Sequence, residues 1–181
     1  MEALTISIGE YEQRVPLRQV GDVRIAYLDF LCDRELVAAA ASALADRLAD
    51  DDSAIVVPAT GAVALGYALA TLVDRPLVVV RKDRRGYMGD TFVVPVRSMA
   101  SSDEETLHLE RTYVDVLRQS GATLVDTVTT SGSTLAAMSA LMDVAQVQVH
   151  AVAVVFTEGT SAPPGVISLG HLPVFKANER R

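Results

Sequence analysis

The stretch LVDTVTTSGST, residues 124–134, joins an apolar strand to a turn of small polar residues. The apolar run ends at Asp126, and positions 129–134 hold only hydroxyl residues and one glycine, Gly132. The residues that follow, TLAAMSALMDVA, predict a helix. Such a turn can point several backbone N–H groups into one hollow, with a helix N-terminus behind them, and this arrangement binds phosphate. The stretch therefore predicts an anion site beside a carboxylate, at a glycine that lets the backbone approach the ligand closely.

Two other interpretations of this turn stay open at this point. Ser and Thr are common N-cap residues, so the turn could simply begin a helix without binding a ligand. A nucleophilic serine is a further alternative, but the spacing differs from G-x-S-x-G and no histidine is placed to activate it.

Apolar strands alternate with helices along the rest of the chain. Strands are predicted at residues 53–57, 75–82, 91–99, 106–110, 122–126 and 148–158, and helices at residues 33–50 and 134–145, with residues 59–73 turning from a loop into a further helix. Residues 111–119 suit either a helix or irregular structure, and residues 1–30 read as irregular or short-strand structure. Strands that are apolar throughout and alternate with helices favour an α/β fold, with a central, mostly parallel sheet covered by helices on both faces.

We expect one domain over residues 1–181, with the α/β core at about 33–160. Residues 161–181 contain three prolines and are expected to be mostly loop. Asp33 is the expected N-cap of the first helix.

Ligands of parallel sheets bind at the carboxyl ends of the strands. Two further loops should share that edge with the 129–134 turn. Four of the sixteen basic residues lie between positions 81 and 85, which indicates an anion site in a chain of net charge −7, although a solvated basic loop has the same composition. Ala59, Thr60 and Gly61 precede the second predicted helix and form a third possible anion cradle.

The composition excludes several classes of function. An acidic chain without a basic stripe is a poor candidate for binding nucleic acid. One cysteine and three scattered histidines give neither an intramolecular disulfide nor a zinc signature. No apolar window is long enough to span a membrane, and the N-terminus lacks the pattern of a signal peptide, so we expect a cytoplasmic protein.

The order of these pieces resembles the type I phosphoribosyltransferases, and most closely their adenine phosphoribosyltransferase-like branch. LVDTVTTSGST is similar to the family's phosphate-loop motif. VVVRK, GYMGD, the strand pair VPVRSM and TLHLE, and the C-terminal LPVF follow in the family's order, so the resemblance covers about residues 10–175.

The resemblance implies a reaction between phosphoribosyl pyrophosphate and a purine base, adenine or a related one, with Mg²⁺ as cofactor. The products would be a nucleoside monophosphate and pyrophosphate. It also implies a homodimer, a small N-terminal hood over the base at about residues 1–32, a polar tip at residues 101–105 that closes over the site, and no direct metal ligand from the protein.

The resemblance also implies the site residues. Catalysis would rest on Asp126, Arg81 and Lys82. The ribose and its 5′-phosphate would contact Asp126, Thr127, Thr129, Thr130, Ser131, Gly132, Ser133 and Thr134. The pyrophosphate would contact Ala59, Thr60, Gly61, Arg81 and Lys82. Tyr27 would stack on the base, although core packing explains a tyrosine there equally well.

The chain departs from the family pattern within this supposed site. The second of two adjacent acids is replaced by Thr127, one loop glycine by Ser133, and an acidic residue near the pyrophosphate loop is absent. A serine at 133 requires a negative φ there. An acid restored at 127 is expected to strengthen ribose binding if the ordinary substrate is used. The departures keep two alternatives open, which are the same chemistry on an unusual purine-like base and a sensor of a phosphoribosylated ligand without catalysis.

Overall fold

The computed structural model describes residues 2–96, 105–159 and 163–177. Its strands are β1 Ala3–Ile8, β2 Tyr11–Val20, β3 Val23–Ala26, β4 Ala54–Pro58, β5 Leu77–Val80, β6 Thr91–Val96, β7 Glu105–Glu110, β8 Ala122–Thr129, β9 Val149–Glu158, β10 Ile167–Leu172 and β11 Phe175–Lys176. Its helices are α1 Arg34–Ala45, α2 Val63–Val73, α3 Val114–Ser120 and α4 Ser133–Ala145, with a 3₁₀ turn at Arg111–Tyr113.

A parallel five-stranded sheet in the order β10-β9-β8-β4-β5 forms the centre of the fold, which confirms the predicted fold class. The chain passes from β4 outward to β5 and later returns to place β8 on the other side of β4. The strand order therefore reverses between β4 and β8. This is the position at which open α/β sheets form a binding crevice.

Two apolar cores cover the two faces of this sheet. One contains α1, α2 and the inner side of the N-terminal strands, with Leu36, Leu44, Leu65 and Leu69 fully buried. The other contains α3, α4 and the β6–β7 hairpin. Helices on both faces leave the carboxyl edge of the strands as the place where polar loops collect.

The N-terminal residues form an antiparallel sheet in the order β1-β2-β3-β11, which takes the place of the predicted hood. Pro16 lies inside β2 and does not interrupt the strand. β1 pairs with β2 up to Pro16, and β3 pairs with β2 from Leu17 onward. A proline without an N–H is tolerated at this change of partners.

The tail differs from the prediction of a loop. β10 adds a parallel strand beside β9, and β11 pairs with β3 in the N-terminal sheet. The prolines at 163, 164 and 173 flank β10 and do not interrupt it. Proline marks the ends of a strand as readily as it marks a loop.

Helix α1 begins as predicted, because the Asp33 side chain accepts a hydrogen bond from the Leu36 N–H at 2.9 Å. It ends at Ala45 and not near residue 50, since the N–H groups of Arg47 and Leu48 both turn back to the Leu44 carbonyl. Among the described helices, none has the length and hydropathy needed to cross a bilayer.

Candidate functional site

The crevice lies where β4 and β8 separate. Their ladder ends at the pair Val56 and Leu124, whereas β8 continues to Thr129. The same register would place Pro58 level with Asp126. The loop after β4 and the polar turn after β8 therefore face each other across the strand-order reversal.

Asp126 lies in this crevice near the end of β8. Its Oδ1 accepts a hydrogen bond from the Thr127 N–H at 2.7 Å. The residue as a whole keeps some solvent contact, but its carboxyl group is largely removed from water. This burial raises the pKa of Asp126 to about 6, opposed by hydrogen bonds from the Thr127 N–H and hydroxyl and by the charge of Lys82. The influence of Lys82 indicates that the loops after β5 and β8 converge.

Thr127 contacts Asp126, which gives a second interpretation of Thr127 besides that of a lost acid. Its N–H donates to the Asp126 carboxylate, and its side chain favours the ionised form. A second carboxylate at this position would remove that side chain and add a like charge.

The polar turn after β8 leads directly into α4. Gly132 is the N-cap, with φ of 76°, and no side chain caps the helix. Ser133 already belongs to the helix and avoids positive φ, as the sequence required. Within the described residues, the backbone N–H groups of Ser131, Gly132, Thr134 and Leu135 have no protein acceptor. These N–H groups at a helix N-terminus can bind an anion.

The hydroxyls of this turn already have partners in part. Ser131 Oγ lies 3.2 Å from Ser133 Oγ and accepts a weak bond from the Ser133 N–H. Thr130 donates to Glu158, and Thr129 is buried at the last position of β8. Of the residues expected at the phosphate, Thr129 is therefore part of the sheet, and its side chain is not exposed to the crevice solvent.

The loop after β4 offers fewer N–H groups than expected. The Ala59 N–H donates to the Val80 carbonyl at 2.8 Å, so it cannot serve a ligand as the resemblance implied. The N–H groups of Thr60 and Gly61 have no acceptor among the described residues. The peptide bond between Ala59 and Thr60 is cis.

The basic residues after β5 line a polar cavity of about 290 Å³ with this loop. Its lining comprises Ala59, Thr60, Arg81, Lys82, Asp83 and Arg85. Within the described part of the chain, Arg81 has no carboxylate at ion-pair distance. The cavity combines free N–H groups with cations, as a polyphosphate site requires.

The β6–β7 hairpin holds the first two of the four cationic residues of this loop, Arg81 and Lys82. Arg81 and His108 exchange both backbone hydrogen bonds, at 3.0 and 2.7 Å. Thr106 Oγ1 donates to the Lys82 carbonyl at 3.2 Å, and Lys82 Nζ pairs with Glu105 at 3.0 Å. This half-exposed pair is weak, so an anionic ligand can displace Glu105. The predicted polar tip at 101–105 lies outside the described residues, except for Glu105.

Tyr27 lies in the N-terminal sheet region, and the guanidinium of Arg18 covers one face of its ring at 3.6 Å. Only the opposite face could stack on a base. The assignment of Tyr27 to the base remains a prediction.

Sequence reasoning missed Glu158 and Asp83, and it assigned Glu105 to the polar tip without its contact to Lys82. Glu158 is the buried last residue of β9 and accepts a hydrogen bond from Thr130 in the polar turn after β8. A single acid that ends an apolar strand at the carboxyl edge was the available signal. Asp83 lies within the basic loop, whereas Glu105 reaches Lys82 only because β7 bridges to Arg81 through His108. Among the described residues, no three His, Cys, Asp or Glu side chains are grouped as metal ligands.

Comparisons with known proteins agree with the resemblance that the sequence predicts. Residues 31–166 match the model of the phosphoribosyl transferase domain family. A comparison with curated proteins found no match.

Solved structures of adenine phosphoribosyltransferases share the fold. The enzyme from Thermoanaerobacter pseudethanolicus has a TM-score of 0.70 at 18% identity, over 86% of this chain and 95% of its own. The Giardia lamblia enzyme complexed with 9-deazaadenine has a TM-score of 0.67 at 18% identity, over 93% of each chain. The Trypanosoma brucei enzyme, in complex with AMP, pyrophosphate and ribose-5-phosphate, has a TM-score of 0.64 at 17% identity, over 82% of this chain and 70% of its own.

Proposed function

This chain belongs to the phosphoribosyl transferase domain family, and from that membership we propose that it transfers the 5-phosphoribosyl group of phosphoribosyl pyrophosphate to a purine base. One observation carries the proposal. The loop after β4 and the turn after β8 flank Asp126 at the strand-order reversal, and both have N–H groups without an acceptor among the described residues. The loop after β4 also shares a cavity with Arg81 and Lys82. A sugar that bears a phosphate at one end and a pyrophosphate at the other fits that arrangement.

The turn after β8 takes the 5′-phosphate in this proposal. The free N–H groups of residues 131, 132, 134 and 135 supply donors, and the start of α4 adds its positive dipole end. This phosphate lies away from the bond that breaks. Its binding energy therefore orients the ribose and does not act on the reacting carbon.

Asp126 accepts hydrogen bonds from the ribose hydroxyls. With its pKa at about 6, the carboxylate is ionised at neutral pH. As the bond between ribose C1 and pyrophosphate breaks, positive charge develops on the ribose. The negative charge of Asp126, in a largely desolvated position, stabilises that charge.

Arg81 and Lys82 neutralise the departing pyrophosphate, and the Thr60 and Gly61 N–H groups bind its oxygens. Mg²⁺ prefers one or two carboxylates together with phosphate oxygens and water. Asp83, which lines the cavity, and Asp126 fit that preference. When bound, the ion supplies further neutralisation of the leaving group.

We assign the base as adenine or a related purine because solved structures of this fold include adenine phosphoribosyltransferases. The hood would cover the base, with the free face of Tyr27 as a candidate contact. An unusual purine-like base remains the second candidate, because Thr127 replaces the usual second acid beside the ribose.

A panel of purine bases tests this function. Each base is incubated with phosphoribosyl pyrophosphate and Mg²⁺, and pyrophosphate release is measured. We expect turnover, fastest with adenine. Turnover with a different base alone would favour the specialised pathway, whereas binding of phosphoribosyl pyrophosphate without turnover on any base would favour the sensor.

We further propose that the chain forms a homodimer through the face around β5. Two cavities, of about 650 and 190 Å³, share Leu77, Val79 and Arg81 and form one continuous surface. Large apolar side chains remain exposed on it, including Tyr67 at 68% and Tyr87 at 78%. A second copy would cover this apolar surface.

A further inference from the structure

Thr130 differs from the other hydroxyl residues of the turn, because its hydroxyl proton is donated to a buried carboxylate. Thr130 Oγ1 bonds to Glu158 Oε2 at 3.0 Å. A threonine hydroxyl has one proton to give, and the oxygens of an ionised phosphate can only accept. While this bond exists, the Thr130 side chain cannot donate to the phosphate.

Glu158 is an unusual neighbour for an anion site. It is 6% exposed and is the last residue of β9. No cation of the described residues lies within ion-pair distance of its carboxylate, and Thr130 is the donor that the described residues provide. A buried carboxylate is costly unless it is hydrogen-bonded, so this bond is not readily given up.

The bond connects two neighbouring strands at the point where the turn begins. β8 and β9 run in parallel register up to the pair Thr129 and Thr157. Glu158 follows as the last residue of β9, and Thr130 is the first residue after β8. The methyl group of Thr130 also lies close to Gly159, since a Cβ built on that glycine would be 3.8 Å from it. The turn is thus anchored to β9 before its free N–H groups begin.

We propose that Glu158 is a positioning residue of the phosphate turn and acts through Thr130. By holding the Thr130 hydroxyl, it fixes the first residue of the turn, so that the N–H groups of residues 131–135 are already arranged for the 5′-phosphate. Thr130 then contributes by its attachment to β9 and not as a phosphate ligand. This inference rests on the proposed function, because it uses phosphoribosyl pyrophosphate as the ligand.

The opposing possibility is that Thr130 turns to the phosphate when the ligand binds. That rotation would leave the buried Glu158 carboxylate without its donor, next to a second anion. The two possibilities predict opposite effects when Glu158 loses its carboxylate.

The experiment compares Glu158→Leu, Glu158→Gln, Thr130→Val, Thr130→Ser and the double variant Thr130→Val with Glu158→Leu. Steady-state kinetics give KM for phosphoribosyl pyrophosphate and kcat, and a titration with Mg²⁺ and the same compound gives Kd. Thermal unfolding reports on the fold of each variant.

We expect Glu158→Leu and Thr130→Val to raise KM and Kd for phosphoribosyl pyrophosphate by roughly three- to tenfold, the scale of one lost hydrogen bond. kcat should stay within about twofold, because the 5′-phosphate lies away from the reacting bond. Thr130→Ser and Glu158→Gln keep a donor and an acceptor and should stay close to the wild type. The double variant should bind no more weakly than the weaker single variant, since both remove the same bond.

Unchanged or tighter binding of phosphoribosyl pyrophosphate by Glu158→Leu would overturn the inference. It would also be overturned if Thr130→Val raised Kd by the same factor in the Glu158→Leu protein as in the wild type. Should Glu158→Leu not fold, Thr130→Val with wild-type KM overturns the inference. Wild-type protein that does not bind phosphoribosyl pyrophosphate would overturn this inference together with the proposed function. Normal wild-type binding with unchanged variants overturns this inference alone.

Discussion

Asp126 and Thr127 act as one unit, in which the threonine supports the carboxylate before it. The Thr127 N–H donates to Asp126 and the Thr127 side chain also lowers the pKa of that carboxyl, yet burial dominates and raises the pKa of Asp126 to about 6. A charged group in this position lowers the stability of the folded chain at neutral pH. It is retained, in our account, because the ribose requires it.

Asp126→Asn is expected to stabilise the protein at pH 8. The folded pKa of Asp126, about 6, lies above the ordinary 3.8. The folded chain therefore favours the protonated form of Asp126. This contribution to the free energy of unfolding is fully present below about pH 4 and is lost as the pH rises through 6. The neutral amide should raise the free energy of unfolding at pH 8 by on the order of 2 kcal/mol, with the gain vanishing near pH 4. Urea unfolding at both pH values measures this.

Asp22→Asn is the matched control, since Asp22 lies in the exposed β2–β3 turn. Asp22→Asn should leave the difference in the free energy of unfolding between pH 4 and pH 8 as it is in the wild type. A destabilised Asp126→Asn protein at pH 8 would show that the carboxylate is favourably paired and that its charge is not a burden on the fold.

Thr127→Asp is expected to weaken binding of phosphoribosyl pyrophosphate, although it restores the family's second acid. The change removes a side chain that favours the ionised form of Asp126 and places a like charge beside it. We expect roughly three- to tenfold weaker binding, the scale of one hydrogen bond. Titration calorimetry with Mg²⁺ measures it, with Thr127→Ser as the control that keeps the donor. Tighter binding by Thr127→Asp would restore the interpretation of Thr127 as a lost acid.

At the scale of the element, the turn between β8 and α4 depends on a glycine with no substitute. Gly132 has φ of 76°, and a Cβ there would lie 2.4 Å from Cγ of Pro163. The backbone thus passes close to the C-terminal segment while its N–H groups stay free. The sequence predicted the glycine's role in the turn, but not the contact with Pro163, which comes from a segment about thirty residues away.

Gly132→Ala should displace the turn and weaken phosphate binding. The new side chain meets both the left-handed backbone and Pro163, which together cost on the order of 1–3 kcal/mol. We expect reduced affinity for phosphoribosyl pyrophosphate and for ribose 5-phosphate, measured by calorimetry. Gly86→Ala is the control, because a Cβ at Gly86 has open space around it. Wild-type affinity in Gly132→Ala would contradict an anion site at this turn.

The elements with strong local patterns were predictable, and those defined by distant partners were not. The apolar runs in the sequence predict β4, β8 and α4, and Gly132 marks the turn between β8 and α4. β10 and β11 were not predicted, because short strands between prolines have no local signal stronger than that of a loop. Their pairing with β9 and β3 decides their conformation.

At the scale of the whole molecule, the crevice depends on the strand order, which brings three loops of distant sequence together. The basic loop and the phosphate turn were predicted as separate anion sites, and their convergence on Asp126 follows from the α/β topology. The contacts of Glu105 with Lys82 and of Glu158 with Thr130 could not be predicted, since they depend on side chains from neighbouring elements.

The proposed dimer makes a prediction at this scale. Tyr67→Glu places a charge on the apolar face beside β5 and should convert a dimer to a monomer in light scattering coupled to size exclusion. Val144→Glu is the control, because Val144 is an exposed apolar residue on α4, outside that face. A monomeric wild type, or an unchanged dimer in Tyr67→Glu, would contradict the assignment of this face.

The central claim is that the crevice transfers a phosphoribosyl group with Arg81 as partner of the leaving pyrophosphate. The direct test is the rate of nucleoside monophosphate formation from phosphoribosyl pyrophosphate and adenine, compared between wild type, Arg81→Ala and the control Arg34→Ala, whose side chain is 86% exposed on α1. We predict product with the wild type and with Arg34→Ala. In Arg81→Ala, kcat/KM should fall about thirty- to a thousandfold, which corresponds to a loss of about 2–4 kcal/mol of transition-state stabilisation. No product from adenine or any other purine base, or an Arg81→Ala enzyme as fast as the wild type, would contradict the account.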